Sequence, residues 1–396
     1  MNSLRVAVIH DWLVISGGAE KVLEQLLLCF PGADVYSIIN FLPEAATNEI
    51  LHGANVFTSF IQKFPLAKSF YWYYLPFMPL AIEQFDLSSY DIVISSSHVV
   101  AKGVITHPHQ LHICYIHSPI RFAWDLQNYY LEAFQYNYGI KGILARILFH
   151  YLRLWDCRTS NGVDKFAANS NFIARRVKKA YGCSSEVIFP PVNVDYFNFE
   201  SSKEDYYLTA SFMNPFKKIG LIVEAFSCLP HKRLVVIGDG PEFKKIKSKA
   251  SSNVEFLEYQ KTSVLKSYMQ KAVAFIFAAP EDFGIIMAEA QSCGTPVIAY
   301  GRGGACEIVR DLTVDKPTGV LFSQQTISSL LAAIEKFEAS AHLIRPENCR
   351  ENALRFHPSL FCQSFKSLVA NEWQAFQESQ NPQNGVEIAQ KISFDS

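Results

Sequence analysis

The stretch APEDFGIIMAEAQSCGTPVIA, residues 279–299, places an acidic loop and a glutamate-bearing apolar helix between two apolar strands. VAFIFAA before it and PVIAY after it read as buried strands. Between them the run from Ile285 has helical character and stops at Gly294. Glu281 lies in the loop and Glu289 follows eight positions later, inside the helix. A carboxylate among apolar neighbours is costly unless something polar meets it, on the order of 2–7 kcal/mol even for a neutral polar group. Glu281 with Asp282 has a plain alternative, capping the helix start. Glu289 has none, and its two oxygens suit a pair of ligand hydroxyls such as those of a ribose. The helix start near Phe283, Gly284 and Ile285 offers backbone N–H groups to a phosphate or a sugar.

Outward from this stretch, short apolar strands alternate with helical patterns along the chain. RVAVIHDWLV, YDIVISSS, HICYIHS, KFAANS and SEVIFPPV read as strands of a first unit. The pattern restarts after PPVNVDYFNFESSKEDY, with YYLTAS, RLVVIGDG, NVEFLE, VAFIFAA, PVIAY and TGVLF. Two doubly wound α/β units follow, with a proline-containing linker near 190–203 and ligands expected in a cleft beyond the strands' carboxyl ends. The expected divisions are 1–195, 204–360, a helix over 361–378 crossing back to the first unit with Trp373 as a docking residue, and a flexible tail over 379–396.

The chain has 396 residues, of which 49% are apolar and 18% charged, with a net charge of -1. This describes a globular protein and argues against capture of nucleic acid. Nine cysteines without metal spacing read as reduced cytosolic thiols. No signal peptide and no run long enough to cross a membrane is expected. FIQKFPLAKSFYWYYLPFMPLAIEQF is aromatic-rich and reads as contact with a bilayer surface, against the alternative of an internal segment. GIKGILARILFHYLRLWDCR reads as a core helix with a solvated basic face.

EDFGIIMAEAQSCGTPVIAYGRGGACEIV resembles the donor-site signature of glycosyltransferase family 4, retaining enzymes of GT-B fold. RVAVIHDWLVISGGAEKVLE, HICYIHSPIRFAWD and VIFPPVNVDYF are similar to its bacterial mannosyltransferase-like members. The resemblance implies Glu281 against the donor sugar, Glu289 on the nucleotide ribose, and backbone contacts from Phe283, Gly284 and Ile285. It implies that Gly17 and Gly18 approach the diphosphate or the acceptor, where a tight turn is the plain alternative. It implies His117 near the donor sugar, Gly238 near the base, Lys217 and Lys218 on the diphosphate, and Arg121, Trp124 and Asp125 on the acceptor side. Phe212 stands where family members carry a second diphosphate-gripping arginine, and a phenyl ring cannot do that work. With no D-x-D motif, no metal and no cofactor are expected.

The resulting expectation is a hexosyltransferase, with mannose from GDP-mannose favoured, acting on a lipid-linked or growing glycan in cell-surface polysaccharide synthesis. It is expected in the cytoplasm, peripheral on the inner face of the cytoplasmic membrane. The alternatives are a catalytically impaired relative that binds a nucleotide or a partner protein, and a GT-B sugar-nucleotide epimerase.

Overall fold

The computed structural model of the protein describes residues 4–380, so the expected tail over 381–396 lies outside the described residues. Two compact units form. The first takes the chain up to Asn169, then Ile173–Ile188 and the part from Phe361 onward; the second takes Ser170–Phe172 and Phe189–Leu360.

The first unit is built on a seven-stranded sheet in the order β3-β2-β1-β4-β5-β6-β7. Its strands are β1 (Val6–His10), β2 (Asp34–Ser37), β3 (Val56–Thr58), β4 (Ile92–Ser97), β5 (Leu111–Ile116), β6 (Lys165–Ala168) and β7 (Ser185–Val187). All are parallel, with Val8 opposite both Val35 and Ile94, and Ile94 opposite Ile113. Every residue of β4 and β5 is buried, which explains why they read as apolar or small-residue runs, interrupted only by His112, rather than alternating ones. Successive side chains feed opposite faces. Ala7 and Ile9 join one apolar cluster with Trp12 and Met78, while Val8 joins another with Leu23 and Phe365.

The second unit repeats the plan with six parallel strands in the order β10-β9-β8-β11-β12-β13. They are β8 (Tyr207–Ala210), β9 (Leu234–Ile237), β10 (Val254–Leu257), β11 (Ala274–Phe277), β12 (Val297–Tyr300) and β13 (Gly319–Phe322). In both sheets the winding direction reverses at one strand pair, β1/β4 and β8/β11. The crevice beyond the carboxyl ends at such a reversal is where open α/β sheets take ligands.

The expected linker near 190–203 is not a solvated linker. Val192 and Val194 are fully buried and Phe197 nearly so, all in the second unit's core, and Val192 N–H donates to Phe356 O at 2.8 Å. Two prolines mask a V-x-V-x-x-F apolar pattern, and the boundary between units falls after Ile188. The helix Pro358–Gln380 extends past the expected start of the tail at 379. It buries Phe361, Phe365, Leu368 and Val369, with Trp373 packed beside them in the first unit. The cysteines are not all free thiols, because Cys29 and Cys362 are joined with Cα atoms 5.7 Å apart. Their 333-residue separation hides the pair from any spacing rule. The helix Gly139–Thr159 departs from its expected form, since much of its solvent side is apolar rather than polar.

A buried carboxylate fixes the reversal in the first unit. Asp11, fully buried just after β1, accepts four backbone N–H groups from the turn after β4: His98 (2.6 Å), Val99 (3.1 Å), Val100 (2.5 Å) and Ala101 (2.8 Å). His98 Nδ1 lies 2.8 Å from Asp11 Oδ2. Burial alone raises a carboxyl pKa, but the His98 imidazolium and these N–H donors outweigh it and hold Asp11 well below the usual carboxylate range. Because the folded-state value is depressed, the stabilisation is present above the unfolded value near pH 4 and is lost as pH falls below it. Asp11→Asn, which turns a donor group toward N–H donors, is expected to destabilise the protein by about 3 kcal/mol. Urea unfolding at neutral pH, together with a smaller difference from the parent protein in strong acid, checks this.

Candidate functional site

In the second unit the site grows from the ends of β8 and β11. After β8 the Asn214 side chain accepts the Lys217 N–H at 3.1 Å, closing a single turn Pro215–Lys217, and Lys218 then takes a left-handed conformation at φ 55°. This aims Lys217 at the loop after β11, where its ammonium pairs with the Glu281 carboxylate. The ammonium also sits 5.6 Å from the Phe277 ring centroid. Both partners are partly exposed. The loop is fixed by its backbone: Glu281 O accepts Gly304 N–H at 2.8 Å and Asp282 O accepts the Ser170 hydroxyl at 2.6 Å.

Gly284 begins the helix Ile285–Ser292 in a left-handed conformation, φ 97°. This backbone conformation favours glycine, and a Cβ there would also displace the end of the Met287 side chain, 2.3 Å away at Cε. The cap position itself is a glycine and supplies no side-chain cap. Glu289 lies one turn in and is only 4% exposed, flanked by buried Ala288 and Ala290. Burial pushes the nearby Cys293 thiol up to about 12; Lys203 opposes this and the Glu289 charge adds to it. Gly238 serves packing: a Cβ there would meet Ser211 O at 2.1 Å, so the loop after β9 can press on the loop after β8. The helix after it begins at Phe243, two residues beyond Pro241. Phe212 is 62% exposed at the tip of the β8 loop, with no place in the core.

The first unit carries a second polar group at its own reversal. Gly17 N–H donates to Glu20 Oε2 at 2.9 Å, and Glu20 Oε1 lies 3.7 Å from His10 Nε2. His10 Nδ1 meets Ser96 Oγ at 3.2 Å, and Ser96 Oγ meets His117 Nε2 at 2.9 Å. The Ser96 hydroxyl has one proton to give, so at most one of the two rings accepts from it, and the tautomers of His10 and His117 are linked. Gly17 is extended at φ -125°, so the tight-turn alternative for the glycine pair does not hold. Arg121 stands close enough for its charge to work against protonation of both His98 and His117. Trp124 spends its indole N–H on Asp156 Oδ2 at 2.7 Å and Asp125 pairs with Arg176, so both are engaged within the fold. Sequence reading missed His10, Asp11, Glu20 and His98. The signals were the H-D directly after β1, the glutamate after the glycine pair, and the histidine directly after β4.

Two doubly wound parallel sheets, each with its polar residues at the strand reversal, define the GT-B class of glycosyltransferase folds. A Glycosyltransferase Family 4 domain matches residues 16–196 and a Glycosyl transferases group 1 domain matches 196–356. The chain belongs to glycosyltransferase family 4. Among solved structures it is similar in fold to Anabaena HepE in complex with UDP and glucose, with TM-score 0.69, 16% identity, and coverage of 93% of this chain and 100% of that one. It is similar likewise to the sucrose-phosphate synthase of Thermosynechococcus elongatus, with TM-score 0.69, 15% identity, and coverage of 94% and 100%. The D-inositol 3-phosphate glycosyltransferases of Mycobacterium tuberculosis and Mycobacterium bovis are 27% identical over 208 residues, 46% of this chain. The match spans 41% of the length of those relatives.

The histidines of the first unit should titrate far apart. Burial works against charge on His98, but the Asp11 carboxylate more than offsets it and raises the pKa. Burial, reinforced by His98 and His10, holds His117 well below the usual histidine range, and burial brings His112 down to about 4. NMR of ring-labelled histidine is expected to show His98 protonated above the ordinary value near 6.5 while His117 remains neutral. The stabilisation carried by His98 is then fully present below that ordinary value and lost as pH rises through the elevated one.

Proposed function

We propose that the protein transfers a hexosyl group from a nucleotide-diphosphate sugar to a hydroxyl of a glycan or lipid-linked acceptor, in the synthesis of a cell-surface polysaccharide. One observation carries the reading: the Lys217–Glu281 pair sits at the strand reversal of the second unit, ahead of a helix whose Glu289 is buried. Transfer breaks the bond between the anomeric carbon and the diphosphate oxygen, and the departing diphosphate gains negative charge. Lys217, Lys218 and the N–H groups opening Ile285–Ser292 meet that charge without a metal ion. Glu289 accepts the two ribose hydroxyls and Glu281 orients both the sugar and Lys217. His117, kept neutral by burial, serves a sugar hydroxyl as donor or acceptor without adding a positive charge. Arg121 is the first candidate on the acceptor side, and Gly17 and Gly18, without side chains, let the diphosphate or the acceptor approach the backbone closely.

The resemblance favours mannose from GDP-mannose as donor and retention at the anomeric carbon. HepE is seen with UDP and glucose, so uridine is the competing base. The reaction belongs at the cytoplasmic face of the membrane, where a lipid-linked acceptor is presented. Exposed Phe70, Trp72, Tyr73 and Phe77 beside buried Leu75 and Met78 support surface contact by the aromatic segment.

Calorimetric titration without metal, using GDP-mannose, UDP-glucose and the bare nucleotides, is expected to give tight binding of one sugar nucleotide. Glu289→Ala should weaken it by at least about tenfold, the scale of one charge-assisted hydrogen bond or more; unchanged affinity removes the ribose role.

Exposed Phe212 favours a second reading, a relative with impaired turnover that binds a nucleotide or partner. Phe212→Arg separates the two. A fall in turnover, with donor affinity retained, is expected if the site works as it stands. A rise on the order of 100-fold, the worth of one preorganised donor, marks an impaired native site.

A further inference from the structure

The helix Gly139–Thr159 carries two apolar stripes, and only one of them faces the protein. Ala145, Leu152, Trp155 and Asp156 are buried on the inner side. At 100° per residue, Ile140, Ile143, Leu144, Ile147, Tyr151 and Leu154 fall within an arc of about 100° on the opposite side. These six range from 45% exposed at Tyr151 to 76% at Ile140. A helix on the surface of a water-soluble domain turns its polar side outward, and a contiguous apolar strip on the outside marks an interaction surface.

The charges on this helix select the partner. Lys141 and Arg146 are exposed on either side of the stripe, with His150 beside it, and Arg158 stands exposed in line with its C-terminal end. The helix's one acidic residue, Asp156, is buried and paired with Lys102 at 2.7 Å. Two copies meeting through this face would set basic margins against basic margins with no acid of the helix to answer them. An anionic bilayer answers both features, with acyl chains for the stripe and headgroup charge for the margins. The surface continues into the aromatic segment: Phe149 of this helix contacts Phe122, whose ring lies 6.3 Å from that of Trp72, and exposed Trp72 and Tyr73 suit the headgroup zone.

We propose that the outer face of Gly139–Thr159 lies in the plane of an anionic membrane surface and docks the first unit there. This rests on the membrane part of the reading above and not on its donor chemistry. The test uses the full chain and vesicles of phosphatidylcholine with or without phosphatidylglycerol. Co-sedimentation with the anionic vesicles is expected, weakening with salt. Combining Ile143→Ser, Ile147→Ser and Leu154→Ser should lower the partition coefficient by about tenfold or more. The melting temperature should hold, because these side chains are already in water. Donor titration of the same variant separates the two readings: lost vesicle binding with unchanged nucleotide-sugar affinity supports docking alone. The proposal is overturned if the triple variant sediments with vesicles as the parent does. It is also overturned if analytical ultracentrifugation shows the parent to be a dimer that the same substitutions split.

Discussion

The carboxylate of Asp11 is the contact on which the polar architecture of the first unit depends. Where the winding of a parallel sheet reverses, the chains leave β1 and β4 in diverging directions. The N–H groups at the start of the next turn are then left without sheet partners. Four of them converge on one buried side chain. A buried carboxylate is tolerable only with such donors around it and a cation beside it, and His98 supplies the cation. Because Asp11 follows His10 directly and His98 follows the serines that end β4, the same contact sets the spacing of His10, Ser96 and His117.

The second unit meets the same topological problem with different chemistry, and the difference separates scaffold from site. Asp11 is fully buried, and its charge is answered within the fold. The Lys217–Glu281 pair stands partly open to solvent. Ion pairs that solvent reaches are held far more loosely than buried ones, so on the proposed reading a diphosphate can draw the ammonium away. A pair that is cheap to reorganise can change partners during a reaction; a buried carboxylate holding four amides cannot. The buried Lys102–Asp156 pair belongs with Asp11. Its aspartate is also held by Trp124 and Tyr181, so the indole of Trp124 serves the fold.

What could be read from the sequence was whatever is local. Strands buried on both faces leave continuous apolar runs, and EDFG followed by an apolar helix announces a loop and an interior glutamate within a dozen residues. Other features were hidden because their causes are distant or brief. β2 and β3 have four and three residues, too short for a period to register. The Glu20–His10–Ser96–His117 chain joins three separate segments, and each member alone has an ordinary explanation. Residues 190–203 were read by their two prolines, although the valines just after them decided the packing.

The helix Gly139–Thr159 exposes a different limit. Periodicity reports that apolar residues share a face, but this helix has enough of them to form two faces. No period can say which one meets the core. The sheet decides: Trp155 and Leu152 pack with Val100, Ala101 and Ile120 in the cluster beside β1 and β4, and the isoleucines are left outside. An apolar face kept out of the core is a standing cost in water, since about 25 cal/mol is forgone for each Å² left hydrated. On the proposed docking that cost is removed, because the helix lies on a membrane. A lipid-linked acceptor would be confined to that same surface, whereas a nucleotide sugar would arrive from solution, so docking through the first unit would bring the protein to the substrate that cannot leave the bilayer.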